Sequence, residues 1–392
     1  MKTLKFLATF CLGALLFTGC EPGNNDDNGG NGNGNGNGNG GPKSLILVAD
    51  KTTIYDNGFD AATFTLYYDG LILESGYDLY MGTEEEFIAG NQFVSNKQGS
   101  FTIWATYGTV ISNEVTINVV PTPPAAPEAP KDTNPSKTNF KRRVLLTQIT
   151  GTGCQYCPLM INAVHQAMTG AYGDDAILTV AHLWNDNDPA YLYDAQTLDN
   201  SLGANGAPYL FMDLNKNYDT NYSKSAIDKN IQARLDEVAV RGGIAVSSAY
   251  HAEENYIVLN ATVKAKTTGE FRIGAWLLED GIKATQTNPN GYTPATGVDF
   301  NTHDDCIRLA DSKYTSNNYT GYSIGTIEAG KTASREFAFK LKANGNGSAT
   351  KWNHDNLKVV VFISTKEDNG VWYVNNVVSC PKDGSVDFEY EN

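Results

Sequence analysis

The sequence predicts a multidomain fold: a β-sandwich first, an α/β domain in the middle, and a second β-sandwich at the end. Three observations carry this. Short runs rich in Val, Ile, Thr, Tyr and Phe recur between turn residues over 43–120, and again after Gly243. From Lys141 a strand-like run gives way to apolar residues at helical spacing around Cys154-Gln-Tyr-Cys157. Six prolines between Pro121 and Pro135 separate the first block from the second.

The chain begins with an export signal over 1–19. Lys2 and Lys5 give a basic start, and Phe6 to Phe17 is an apolar run. That run is too short for a membrane-spanning helix, which needs ~20 apolar residues. It ends in Leu16-Phe17-Thr18-Gly19-Cys20, which resembles the lipobox of bacterial lipoproteins. The resemblance implies that Cys20 is lipidated and becomes the mature first residue, so that the membrane itself is a partner through this anchor. The departure is Phe17, where the pattern usually carries a branched aliphatic residue. An ordinary cleaved signal with an incidental cysteine is the alternative. Residues 20–42 are nearly all Gly, Asn and acid, with no apolar residue to enter a core, and are expected to form a disordered tether. Asp26-Asp27 resembles the short acidic signal that places some lipoproteins on the cell surface. The expected location is the outer membrane, facing either the outside or the periplasm.

Composition bounds the remainder. With 392 residues and 41% hydrophobic content the chain is globular and long enough for several domains. A formal net charge of -15 excludes electrostatic binding of nucleic acid, which needs clustered Lys and Arg to neutralise phosphates. No cofactor is expected, and the sequence does not set the oligomeric state.

Over 43–120, the segments Ser44–Ala49, Ala62–Tyr68, Gly99–Tyr107 and Glu114–Val120 alternate apolar and polar residues between turns. The last two resemble the closing strands of a bacterial immunoglobulin-like (Ig-like) module, which implies a spacing or weak-binding role. The proline-rich stretch 121–138 reads as a stiff, extended linker.

The chemistry concentrates in 139–241. Arg143 to Ile149 reads as a strand and leads through Gly151-Thr-Gly153 to Cys154-x-x-Cys157-Pro158. Leu159, Ala163, Val164 and Ala167 then recur at helical spacing. A strand feeding a helix whose first turn bears Cys-x-x-Cys is the thioredoxin arrangement. In it the helix N-terminus favours the Cys154 thiolate, and the spacing brings Cys157 within bonding reach. Ile177–Leu183 reads as a buried strand and Tyr191–Leu202 as a helix. Gly206-Ala207-Pro208 then precedes the strand Tyr209–Met212. Thioredoxin-like proteins place a cis-proline at this point, so Pro208 joins Cys154 and Cys157 as an expected catalytic residue. Ser225 is expected to open a further helix with Ile227, Ile231, Leu235 and Val238 on one face.

Two cysteines three apart could instead be half of a zinc site. That needs a second ligand pair, which neither His165 nor His182 supplies. From Lys141 onward the chain resembles the outer-membrane-protein-28-related lipoproteins. The matching residues are Gly153-Cys154-x-x-Cys157-Pro158, Gly206-Ala207-Pro208 and His303-x-x-Cys306-Ile-Arg308. The resemblance implies a thioredoxin-like domain joined to a C-terminal β-sandwich; that family's biochemical role is poorly defined. Efficient thioredoxins carry a buried acid six residues before the first cysteine, whereas this position is Gln148, which cannot take a proton. His182, Trp184 and Asp186 are the expected neighbours of the cysteine pair, with His182 more readily read as a satisfied structural histidine.

Over 242–392 seven strand-like runs suggest the second sandwich: Ile244–Tyr250, Tyr256–Lys264, Phe271–Leu278, Cys306–Leu309, Glu336–Lys342, Leu357–Ser364 and Val371–Ser379. Three motifs fail on context. Gly325-Thr-Ile-Glu-Ala-Gly330-Lys331-Thr332 matches a phosphate loop and Gly321-Tyr-Ser323-Ile-Gly325 a hydrolase elbow. Both lack the helix that must follow. Asp213-x-Asn215-x-Asn217 begins like a calcium loop, but Tyr218 and Lys224 replace its required glycine and glutamate, so it is expected to be a solvated turn. Cys306 and Cys380 are candidates for a structural disulfide that would stabilise by ~4.5 kcal/mol from chain entropy, with two buried free thiols as the alternative.

Three functions fit these residues. The first is a thiol–disulfide oxidoreductase acting on protein thiols. The second is a surface binding or adhesion lipoprotein, with Cys154–Cys157 a static disulfide and a surface ligand as partner. The third is a purely structural envelope protein.

Overall fold

The computed structural model describes residues 43–184, 187–193, 195–204, 206–215, 222–311, 319–341 and 352–391. Cys20, the tether, Asp186, Asn217 and Tyr218 lie outside the described residues. The chain is β-rich and forms two compact units, Met1–Val120 and Pro121–Asn392.

The first unit is a pair of packed sheets. Leu45–Ala49, Ala62–Tyr68 and Leu71–Leu73 form one, with Gln92–Phe93 pairing Ala62–Tyr68. Thr53–Tyr55, Val115–Val120, Gly99–Tyr107, Asp78–Met81 and Glu86–Ile88 form the other. Period-two alternation decides which side chains enter the core: Leu45 and Leu47 are buried whereas Ile46 and Val48 point to solvent. Phe64 and Leu66 join them from the neighbouring strand, and Ile103, Ala105 and Ile117 meet them from the facing sheet.

In the second unit the strands and helices are β1 (Val144–Thr150), α1 (Cys157–Met168), β2 (Ala176–His182), α2 (Ala195–Leu202), β3 (Tyr209–Met212) and α3 (Lys224–Glu237). After them come β4 (Gly242–His251), β5 (Tyr256–Ala265), β6 (Gly269–Glu279), β7 (Cys306–Ala310), β8 (Tyr322–Ile327) and β9 (Thr332–Lys340). β10 (Leu357–Lys366), β11 (Trp372–Pro381) and β12 (Gly384–Val386) complete it. β1 is wholly buried, with β2 parallel on one side and β3 antiparallel on the other. Val144 and Leu146 face α1 and α3, where Met160, Val164, Ala167, Ile227 and Ile231 cover them. The α3 cap is Ser223, whose Oγ accepts from Ala226 N, so the helix opens two residues before Ser225.

The expected boundary at 241/242 is not a break in the sheet. β2 pairs in parallel with β7 at Val180 and Cys306, and one sheet runs in the order β3-β1-β2-β7-β6-β10-β11, with β8 alongside β6. Its two ends approach each other: Val374 N in β11 donates to Asp213 O, just past β3, at 3.0 Å. A second sheet, β9-β5-β4-β12, closes a sandwich core against β6, β10 and β11. The stretch 121–138 is not a free spacer either. Asp132 accepts from Lys264 Nζ at 2.6 Å and from Tyr390 Oη at 2.8 Å, and Pro135 O also accepts from Lys264. Lys264 is buried, so this segment supplies the counter-charge that an interior ammonium requires.

The solvated turn expected at Asp213 is also corrected. Asp213 is fully buried, and its Oδ2 accepts from Arg142 Nη2 at 2.6 Å and Arg234 Nε at 2.8 Å. Its Oδ1 takes the Leu145 amide. This carboxylate ties β1, the end of β3 and α3 together. The phosphate-loop look-alike is a turn between β8 and β9, as its period-two flanks require.

Candidate functional site: a clamped cysteine pair

Cys154 and Cys157 form a disulfide, with Cα atoms 5.4 Å apart. α1 begins at Cys157, with Tyr156 at the cap and Pro158 in the first turn, where a missing amide hydrogen costs nothing. Cys154 therefore sits one turn ahead of the helix rather than within it. Cys154 N donates to Gly151 O at 3.0 Å, and Cys157 N to Cys154 O at 3.4 Å. The two residues differ slightly in access, Cys154 being 6% exposed and Cys157 0%. Pro208 is buried, and the Ala207–Pro208 peptide is cis.

The loop before Cys154 is held from two sides. On one side Asp188 accepts from Thr152 N at 2.8 Å and Ala190 N at 2.9 Å, and pairs with His182 Nδ1 at 2.7 Å. Burial alone would raise the Asp188 carboxyl, but these partners, His182 foremost, outweigh it and hold the group below the usual carboxylate range. Trp184 lies over Gly151, where an added Cβ would come 2.8 Å from its ring. His182 is thus only partly a satisfied structural histidine, since its Nε2 has no hydrogen-bond partner. On the other side Gln286 donates through Nε2 to Gly151 O and Thr152 O, each at 3.2 Å, and to Cys154 O at 2.8 Å. Thr287 N adds a bond to Thr152 O at 2.8 Å. The 284–301 segment continues along α1, where Asn162 bonds Thr293 O and Ala295 N.

Of the expected neighbours of the cysteine pair, His182 pairs with Asp188 and Trp184 packs on Gly151 in the loop before Cys154, whereas Asp188 and Gln286 were not anticipated. Asp188 stands two residues beyond the Asp186 that was singled out. Gln286 lies between recognisable strands, with no periodicity to mark it. His303 of the family motif packs edge-on to His182, ring centroids 5.0 Å apart, and its Nε2 bonds Ala284 O at 3.2 Å. Burial, and then the neighbouring His182, push the His303 imidazole down to about 4, so it is neutral at physiological pH.

The proposed Cys306–Cys380 disulfide is corrected: both are buried free thiols. Cys306 in β7 registers with Glu279 in β6, which registers with Leu357 in β10, whereas Cys380 in β11 registers with Val359. Three strand spacings separate them, or ~14 Å, twice what a disulfide spans. Burial raises both thiols, Cys380 to about 11. Among the described residues no cluster of His, Cys, Asp and Glu is arranged to hold a metal ion.

These features define a multidomain, β-rich protein with a buried Cys-x-x-Cys disulfide pinned by its C-terminal region. Residues 195–382 match the family described as outer membrane protein Omp28, and over that segment the chain resembles the family its motifs implied. The match includes Gly206-Ala207-Pro208 and His303-x-x-Cys306-Ile-Arg308 but begins after Cys154 and Cys157. The family's description is that of an outer membrane protein, which agrees with the expected location. None of the curated proteins compared shows a significant match. Among solved structures, HBP35 of Porphyromonas gingivalis is similar at 18% identity, covering 62% of this chain and 76% of its own, with a TM-score of 0.48. The adhesin InvE of Yersinia pseudotuberculosis is similar at 9% identity, covering 86% and 58%, with a TM-score of 0.15. Neither similarity carries a conclusion about fold or activity.

Proposed function

We propose that this is an outer-membrane lipoprotein, anchored through Cys20, whose 139–241 segment is a thioredoxin-like domain performing thiol–disulfide exchange; the 43–120 sandwich would be an Ig-like spacer. The observation that supports exchange most is the unequal burial of the two cysteines, Cys154 just ahead of the helix N-terminus and Cys157 at its first residue. A substrate thiolate would attack Sγ of Cys154, the less buried cysteine of the pair, and Cys157 would leave as a thiolate. A second substrate thiolate would then attack the substrate sulfur of the mixed disulfide and release Cys154. The substrate loses two electrons and becomes a disulfide, while the protein gains them as a dithiol. Return to the disulfide requires an external disulfide-class oxidant. Gln148, buried where thioredoxins hold an acid, offers no proton relay to Cys157, so turnover should be slow.

The Gln286 clamp favours a second reading, in which the disulfide is static and the domain is a scaffold for binding a surface ligand. Insulin reduction and refolding of a scrambled disulfide substrate separate the two. Exchange predicts activity above background that disappears in Cys154→Ser, whereas background rates in the wild type would leave the scaffold reading. The anchor is checked independently, since Cys20→Ser should release the protein into the soluble fraction and end fatty-acid labelling. Persistent membrane association would reject lipidation.

A further inference from the structure

A cavity of about 430 Å³ lies beneath α1, between β1, β2 and the 297–305 segment. Its volume falls within the range of small-molecule sites. Its walls mix two kinds of surface. Ile161, Val164, Met168, Leu178 and Val180 supply an apolar body. Gln148 and Thr150, successive inward positions of β1, supply the polar part. Each is at least 97% buried, and neither Gln148 Nε2 nor Thr150 Oγ1 has a hydrogen-bond partner among the described residues. A buried donor left without a partner costs about 1–3 kcal/mol, and here two belong to residues two apart on β1 that both line the cavity.

Charge narrows the occupant. Asp299, Asp304 and Asp305 line the cavity and repel an anion. They do not invite a cation either, because Asp299 lies 3.6 Å from Lys283, Asp305 pairs with Lys358 at 2.7 Å, and Asp304 accepts from Gly281 N. We propose that this cavity is a binding site for a neutral amphipathic small molecule, its carbonyl-type acceptor seated on Gln148 and Thr150 and its apolar body against α1 and β2. The site does not depend on redox activity of the cysteine pair.

The test uses the full chain carrying Cys20→Ser, in buffer without detergent, titrated with prodan, an uncharged naphthalene ketone whose emission shifts to the blue in apolar surroundings. The expected result is saturable binding at one site per chain. Thr150→Val and Gln148→Met conserve side-chain volume and should each weaken binding roughly tenfold, the equivalent of one lost buried hydrogen bond. Val164→Trp should fill the space and abolish binding. Absence of saturable binding by the parent chain means that the cavity holds solvent only, and overturns the proposal. So does an affinity unchanged in both Thr150→Val and Gln148→Met, which decide the matter even if Val164→Trp does not fold.

Discussion

Gln286 donates a 2.8 Å hydrogen bond to the carbonyl of Cys154, 132 residues earlier in the chain. The same amide nitrogen reaches Gly151 O and Thr152 O, so one side chain from the C-terminal region holds three carbonyls on one side of the approach to the cysteine pair.

Removing that amide should loosen the loop without touching either sulfur. Gln286→Ala is expected to lower stability by about 1–3 kcal/mol, because three carbonyls lose a shared buried donor. It should also speed reduction of Cys154–Cys157 by dithiothreitol. An unchanged reduction rate in a folded variant would show that the clamp does not govern access.

The buried Asp213 predicts a larger effect. Asp213→Asn leaves Arg142 and Arg234 facing each other without their shared carboxylate, and breaking such a buried network costs about 3–5 kcal/mol. Urea unfolding monitored by fluorescence measures this. A loss below about 1 kcal/mol would mean that Asp213 is not the hub its contacts indicate.

His303 predicts acid sensitivity. Its ordinary value is 6.5 and the folded value about 4, so between these the unfolded chain binds a proton that the native protein refuses. Its contribution to stability is therefore fully present above pH 6.5 and lost as pH falls towards 4, on the order of 3 kcal/mol. The charged groups acting on its ring are His182, Asp188 and Asp299. Asp188, held low in the folded state, adds loss of the same sign below its ordinary 3.8. The unfolding midpoint in urea should drop between pH 7 and 4.5, and His303→Gln should flatten that slope; parallel slopes would contradict it.

The longer strands of both sandwiches were legible because alternation is a local signal, whereas short ones such as Thr53–Tyr55, Leu71–Leu73, Asp78–Met81 and Glu86–Ile88 were not. The seven C-terminal runs that were expected all appear, with ends shifted by a few residues. β8 was passed over: Tyr322-Ser-Ile-Gly-Thr-Ile carries a glycine and a mixed burial pattern in place of clean alternation. The cysteine pair was legible from its own spacing. What could not be read is what depends on distant pairing. The β2–β7 junction rests on a single register contact at Val180 and Cys306, which merges two expected domains into one sheet. Asp213 looked like a turn residue because its partners, Arg142 and Arg234, lie 71 and 21 positions away. Cys306 and Cys380 invited pairing because sequence does not reveal that β6 and β10 stand between their strands.

The central claim is that Cys154 forms the mixed disulfide with substrate, while Cys157 leaves when substrate is oxidised and resolves in the reverse reaction, when a substrate disulfide is reduced. The most direct measurement is trapping with Cys157→Ser, incubated with a disulfide-bonded peptide and resolved on non-reducing gels. The account predicts a stable mixed disulfide through Cys154, released by dithiothreitol and absent in the Cys154→Ser, Cys157→Ser double variant. If folded Cys157→Ser forms no mixed disulfide even with Gln286→Ala added to open the loop, the pair is a structural cross-link and the exchange mechanism is wrong.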